Sequence, residues 1–152
     1  MELRQRINAA LKQAMRDKES ERLATLRLIN AAIRDREIAK RAEDGEDAVQ
    51  EAEVLDILSK MVKQRRESVR AYEEAGRLDL AEAEQDEIAV IEEFLPRKLS
   101  EAEVEKAIDA AVEEVGATSI RDMGKVMGAL KARYTGQMDF GAVGAKVKAR
   151  LG

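Results

Sequence analysis

The side chains that most often carry catalysis are missing from this sequence. It contains no histidine and no cysteine, which removes imidazole bases, thiolate nucleophiles and the usual zinc ligands. Its serines have no partner base, and neither a G-x-S-x-G turn nor a glycine-rich phosphate loop occurs. The acidic residues are mostly three or four positions apart, as on the polar face of a helix. We therefore predict no catalytic residue, no cofactor and no metal site.

The stretch from residue 117 to 152 is better suited to binding an anion, because it contains seven basic residues and only two acidic ones. In a predicted helix from Ser119 to Tyr134, one stripe holds Lys125 and Gly128 on the side opposite the apolar residues. A glycine inside a helix costs about 0.5–1 kcal/mol relative to alanine, so two of them need a reason. Either a phosphate backbone approaches them, flanked by the cations, or a neighbouring helix packs tightly against them.

Charge along the chain is strongly patterned, although the net charge is only −4. Residues 1–41 carry 11 basic and 6 acidic side chains, whereas the stretches 43–56 and 79–93 each carry seven acids and no base. Such blocks are typical of solvated helix faces of alternating sign, and the basic terminal blocks alternatively form an anion-binding surface. No apolar run is long enough to cross a bilayer, so we expect a cytoplasmic protein without membrane contact.

The elements that position these residues are helices. Apolar residues recur at intervals of three and four almost throughout, and Ala, Leu, Glu, Lys and Arg dominate the composition, which predicts an all-α fold. Four helices are predicted before Pro96: one from about Leu3, one from Leu23 to about Arg41, one from near Asp47 to Gly76, and one that Asp79 and Glu82 begin as a capping-box-like pair.

Pro96 ends the fourth helix and marks a predicted domain boundary. Ser100 and Glu103 then form an S-x-x-E capping box, the signature of a helix start. Thr118 or Ser119 is predicted to cap the next helix, whose core stripe is Ile120, Met123, Met127, Leu130 and Tyr134, and Asp139 is predicted to cap the last. The sequence thus predicts a four-helix N-terminal domain at 1–95 and a small three-helix domain at 97–152.

Several of these stretches together resemble the YqeY family, over nearly the whole chain. They are LRLINAAI at 26–33, KQRRES at 63–68, AGRLDLA at 75–81, FLP at 94–96, DMGKVM at 122–127 and YTG at 134–136. The resemblance implies two helical domains, the second like the tail of the B subunit of aspartyl/glutamyl-tRNA amidotransferases, a tRNA-binding appendage. The RNA-binding surface of that tail, transferred to this sequence, implies the candidate RNA-binding residues Gly124, Lys125, Gly128, Lys131, Lys146 and Lys148. Arg121 is added as a further candidate because it lies on the same helix stripe as Lys125 and Gly128.

Three functions are compatible with these observations. The first is an accessory protein, non-catalytic by itself, that binds tRNA through its basic C-terminal helices or is associated with tRNA amidotransferase, with tRNA and a translation-related enzyme as its expected partners. The second is a protein–protein adaptor that docks partners on its long helices and has no RNA role. The third, implied by the family relation alone, is a carbon–nitrogen ligase that takes its nitrogen from glutamine. Nothing in the sequence corresponds to the catalytic core of such ligases.

Overall fold

The computed structural model describes residues 2–45 and 49–152, and in these residues every regular element is helical. The α-helices are α1 Leu3–Arg16, α2 Ser20–Asp44, α3 Glu51–Glu74, α4 Leu78–Glu92, α5 Glu101–Val115, α6 Met123–Tyr134 and α7 Phe140–Leu151, with a 3₁₀ turn at Ile120–Asp122. The predicted all-α class is confirmed. The predicted helix start near Asp47 lies outside the described residues.

The chain divides into two compact units, one ending at Leu95 and one running from Pro96 to Gly152. In the first unit, α1 to α4 surround an aliphatic core. Its largest fully buried side chains are Ile7, Leu26, Ile29, Ile33, Val54, Leu58 and Ile91. On α2 and α3 these residues recur every three or four positions, so a single stripe of each of these two helices is buried.

Polar contacts join elements of the N-terminal unit that are distant in sequence. Arg22 binds both carboxylate oxygens of Glu93, at 2.5 and 3.0 Å. Arg6 Nη2 donates to the Glu93 carbonyl oxygen at 3.2 Å, and its guanidinium lies 5.7 Å from the centre of the Phe94 ring. These contacts hold the end of α4 against α1 and α2.

The C-terminal unit has its own core, built from α5, α6, α7 and the turn before α7. Its buried members are Val104, Ala107, Ile108, Ala111, Val126, Leu130, Met138, Val143 and Val147. The predicted capping box opens α5: Ser100 Oγ accepts from the Glu103 N–H at 3.2 Å, and Glu103 Oε1 accepts from the Ser100 N–H at 3.0 Å. Asp139 Oδ1 accepts from the Gly141 N–H at 3.0 Å and caps α7 as predicted.

Two sequence predictions about helix starts and stripes are wrong. Asp79 does not begin α4, because the helix already starts at Leu78 and Asp79 lies in its first turn, paired with Arg77 at 3.4 Å. Ile120 is not a core residue: it lies in the 3₁₀ turn with 46% of its surface exposed. Val126, fully buried, occupies the core position of α6 instead.

Candidate nucleic-acid interface

Ser119, one of the two residues predicted to cap this helix, caps the 3₁₀ turn instead, and α6 itself begins at Met123 without a side-chain cap. Ser119 Oγ accepts from the Arg121 N–H at 3.3 Å, and Asp122 Oδ2 accepts from the Thr118 N–H at 3.0 Å. The Thr118 N–H is the main cause that lowers the pKa of the Asp122 carboxyl, and the Ser119 N–H and the charge of Lys125 lower it further. The ionised carboxylate therefore anchors the turn and lies in the field of the first lysine of α6.

The solvent face of α6 is a stripe of small residues at four-residue spacing, Gly124, Gly128 and Ala132, all exposed. Val126 and Leu130 hold the opposite side of the helix in the core. Beyond the backbone of α6 itself, a Cβ built on either glycine would have no heavy atom of residues 2–45 and 49–152 within 4 Å. The tight-packing explanation of these two glycines is therefore wrong, and the helix backbone is accessible along this stripe.

Two lysines border the stripe symmetrically. At 100° per residue, Lys125 lies about 60° to one side of Gly128 and Lys131 about 60° to the other, and the two are about 9 Å apart along the helix axis. Both side chains are exposed. Neither takes part in any ion pair with the residues of 2–45 and 49–152. The face thus offers two cations beside an open backbone.

Two arginines of the C-terminal unit, Arg133 and Arg150, form ion pairs with acidic residues. Arg133 Nη2 lies 2.6 Å from a carboxylate oxygen of Glu114, and Arg150 Nη2 lies 2.9 Å from Asp109 Oδ1. Both acids belong to α5, so these pairs tie α6 and α7 to that helix. Arg121, by contrast, is exposed and makes no ion pair with the residues of 2–45 and 49–152, so it and the lysines carry the unpaired positive charge beside α6.

The two lysines of α7 lie on different sides of that helix. Gly144 is buried, and a Cβ there would lie 3.7 Å from the methyl group of Met123 and 3.8 Å from that of Met127. This side of α7 therefore packs on α6, and Lys148, one turn beyond Gly144, lies on the same flank. Lys146 lies on the opposite flank.

Lys146 belongs to a separate groove of about 560 Å³ between α5 and α7. Its charged lining mixes both signs, with Glu105, Asp109 and Arg150 beside Lys146. Of the seven candidate residues, the structure therefore places Gly124, Lys125, Gly128 and Lys131 on one face of α6, with Arg121 in the turn before it and Lys148 on the adjoining flank of α7. Lys146 is apart from them.

This arrangement is suited to binding a polyanion. Lysine ammonium groups beside accessible backbone contact phosphates, which supply most of the affinity of nucleic acids for proteins. The two aromatic side chains of the unit, Tyr134 and Phe140, pack partly buried against its core, so they do not form a platform for stacking bases. No sequence signal separates Lys146 from the other candidates; only the packing of Gly144 on the two methionines distinguishes the flanks of α7.

The described part of the chain, residues 2–45 and 49–152, lacks two further features. No three acidic side chains there converge as ligands of a metal ion. No helix within it is both long and apolar enough to cross a membrane.

Comparison with known proteins gives a family match over residues 4–151, to the family described as Yqey-like protein. Similar proteins include "Altered inheritance of mitochondria protein 41, mitochondrial" from three fungi. The Lachancea thermotolerans protein is 31% identical over 69% of this chain and 55% of its own length. The Pyrenophora tritici-repentis protein is 30% identical over 84% of this chain and 71% of its own length.

The Clavispora lusitaniae protein is 39% identical over 56% of this chain and 46% of its own length. The chain thus spans about half the length of two of these relatives. Their shared name refers to mitochondrial inheritance and mentions neither RNA nor amide transfer. Since the family match extends over nearly every residue, the resemblance seen in the sequence is confirmed, and this chain belongs to the YqeY-like protein family.

Proposed function

We propose that this protein is a non-catalytic accessory factor that binds tRNA through the outer face of α6 and the adjoining flank of α7. The observation that carries the proposal is the open glycine stripe of Gly124 and Gly128 with Lys125 and Lys131 on either side of it. Two glycines in an exposed helix lower its stability relative to alanine. Close approach of a phosphate backbone to the helix would explain why glycines occur at these positions. We place this activity in the cytoplasm and expect it to serve a translation-related enzyme; the mitochondrial name belongs to the relatives.

Binding itself is tested by a mobility shift with total tRNA at about 50 mM salt. Contacts with phosphates alone give dissociation constants of about 10⁻⁴–10⁻⁶ M, so we expect a complex in that range or tighter. Absence of any complex at about 100 μM protein would remove the RNA-binding proposal. The purified chain alone is expected to show neither glutaminase activity nor ATP-dependent amidation, and product in either assay would make it an enzyme instead.

The lysines are tested by Lys125→Ala and Lys131→Ala. If a lysine binds a phosphate, its replacement should reduce the slope of log K against log salt concentration by about 0.7–0.9. Alanine is the best helix former, so α6 should stay folded. Lys106→Ala is the matched control, since Lys106 is an exposed lysine of α5 in the same unit. Equal slopes for all three variants and the parent would contradict the proposed surface.

The glycine stripe is tested by Gly128→Leu, which keeps the charge and fills the open space. We expect an unchanged or raised melting temperature, because leucine is a better helix former than glycine and a Cβ at this position has no described heavy atom beyond its own helix backbone within 4 Å, together with weaker RNA binding. Ala110→Leu, at an exposed position of α5, is the control for adding an apolar side chain. Binding by the Gly128 variant that equals the parent would show that no backbone approaches this stripe.

A further inference from the structure

The outer face of α2 carries an exposed seam with the spacing of a coiled coil. Its positions alternate at intervals of four and three, and all are exposed: Ala24, Leu28, Ala31, Asp35, Ile38 and Ala42. In the heptad notation of coiled coils, Leu28, Asp35 and Ala42 are a positions and the other three are d positions. Together they extend over nearly three heptads, about 27 Å of helix. Leu28 is 45% and Ile38 63% exposed. Single apolar residues scattered over a surface are normal. Leu28 and Ile38, however, lie on the same seam, and its other four residues are small or polar.

An arginine precedes every a position of this seam. Arg27, Arg34 and Arg41 stand before Leu28, Asp35 and Ala42, which is the g position, where charges choose the partner of a coiled coil. Arg27 and Arg34 are exposed and make no ion pair or side-chain hydrogen bond within residues 2–45 and 49–152.

Other cations of the same helix are used inside the unit. Lys40 Nζ lies 2.7 Å and Arg36 Nε 3.3 Å from carboxylate oxygens of Glu53 on α3. On the far edge of the seam, Thr25 is buried and Ala32 half-buried. A helix lying along the seam would therefore meet positive charge on one edge only.

The charges disfavour a second copy of this chain as the occupant. In an antiparallel pair of α2 helices the g positions face each other, which sets arginine against arginine. In a parallel pair the a positions face each other, which sets Asp35 against Asp35. Like charges directly opposed across a helix interface are unfavourable in both arrangements.

We propose that the seam binds an amphipathic helix of a different protein, one with acidic residues along the edge that meets Arg27 and Arg34. Small residues at Ala24 and Ala31 let that helix approach closely, while Leu28 and Ile38 supply apolar contact. Asp35 fixes the register, because a single polar residue at an a position demands a polar or basic residue opposite it. This surface lies in the N-terminal unit and does not depend on RNA binding by α6.

The test is site-specific photo-crosslinking in cells, with the reactive residue at Ala31 in the full chain and, as control, at Ala83 on the exposed side of α4. We expect one protein adduct at position 31 that position 83 does not give, resistant to nuclease, with the linked peptide mapping to an acidic helix. An adduct with RNA, an adduct with a second copy, equal labelling at both positions, or no adduct would each overturn the proposal.

Charge reversal separates a specific helix from a chance neighbour. Combining Arg27→Glu with Arg34→Glu should lower the yield at position 31 by roughly tenfold or more, since opposed like charges are strongly unfavourable. Arg70→Glu on α3, also exposed, should leave the yield unchanged. Basic substitutions at the mapped acids of the partner should restore labelling of the reversed variant. An adduct that ignores the reversal, or one that basic substitutions do not restore, would refute the docking surface.

Discussion

Replacing Gly128 by alanine should make the C-terminal unit more stable. In a helix interior, glycine is about 1 kcal/mol less favourable than alanine, because it loses more backbone entropy on folding. This stabilisation is realised only if the added methyl group meets no obstacle. At Gly128, apart from the backbone of α6, every heavy atom of the described residues is more than 4 Å from the new Cβ, so no clash reduces the expected stabilisation.

The expected increase in the free energy of unfolding is about 0.5–1 kcal/mol. For a domain of roughly this size, 1 kcal/mol shifts the melting temperature by about 4–8 °C, so we expect a rise of about 2–8 °C. Scanning calorimetry of the full chain measures it, with the transition of the C-terminal unit identified by its response to a core variant such as Val126→Ala.

Gly116→Ala is the matched control with the opposite sign. Gly116 ends α5 with φ +66, a left-handed conformation that costs an L-residue about 1–2 kcal/mol. Gly116→Ala should therefore lower the same transition although nothing lies within 4 Å of its Cβ. If Gly128→Ala also lowers it, the stripe is not open and the reasoning about α6 fails.

Three further predictions concern single features of the two units. Hydrogen bonds to Glu103, from Arg97 above all and then from the Ser100 backbone and hydroxyl, lower its pKa from 4.5 to about 2, so its stabilising effect is present above about pH 4.5 and is lost as the pH falls toward 2. Glu103→Gln should therefore reduce the loss of stability between pH 4.5 and 2 in acid titrations followed by circular dichroism. An unchanged acid profile would contradict this prediction. Leu58→Ala leaves a cavity at a fully buried site and should lower the free energy of unfolding, measured with denaturant, by about 2–5 kcal/mol. Leu78→Ala, at a 67% exposed site, should change it by less than about 0.5 kcal/mol. Similar losses for both variants would refute the core assignment. The fragment 97–152 should give a helical spectrum and a cooperative melt, with low stability for its size, and a random-coil spectrum would show that it needs the N-terminal helices.

Local chemistry made much of the C-terminal unit predictable. Ser100 and Asp139 are caps whose side chains reach only two or three residues along the chain, so the sequence contains all the atoms involved. The prediction for Asp79 was wrong because an acid near a helix start serves equally well in the first turn, and α4 begins at Leu78 with Arg77 in the capping position.

Packing between helices was harder to foresee. The predicted stripe of α6 included Leu130, which is buried, and Met123, Met127 and Tyr134, which pack partly buried against the core, but it missed Val126. The long side chains of Met123 and Met127 lie near Gly144 of α7, whereas the shorter Val126 is fully buried. The division of the α7 lysines depends on the same contact. The burial of Val126 and the different surroundings of the two α7 lysines depend on which helix packs against Gly144. The spacing of apolar residues within one helix does not show which neighbouring helix packs against it.

The hydrogen bonds of Glu93 bear on the order in which the two units fold. Arg6 and Arg22 reach it from 87 and 71 positions earlier in the chain, so the N-terminal unit forms these bonds only after closing nearly its whole length. In the C-terminal unit, α5 packs on α6 and α6 on α7, and the Asp109–Arg150 pair spans 41 positions. Folding rates fall as contacts become less local. The unit synthesised last should therefore fold faster once its residues are free of the ribosome, and the refolding of denatured protein should show its helices forming before α4 closes onto α1.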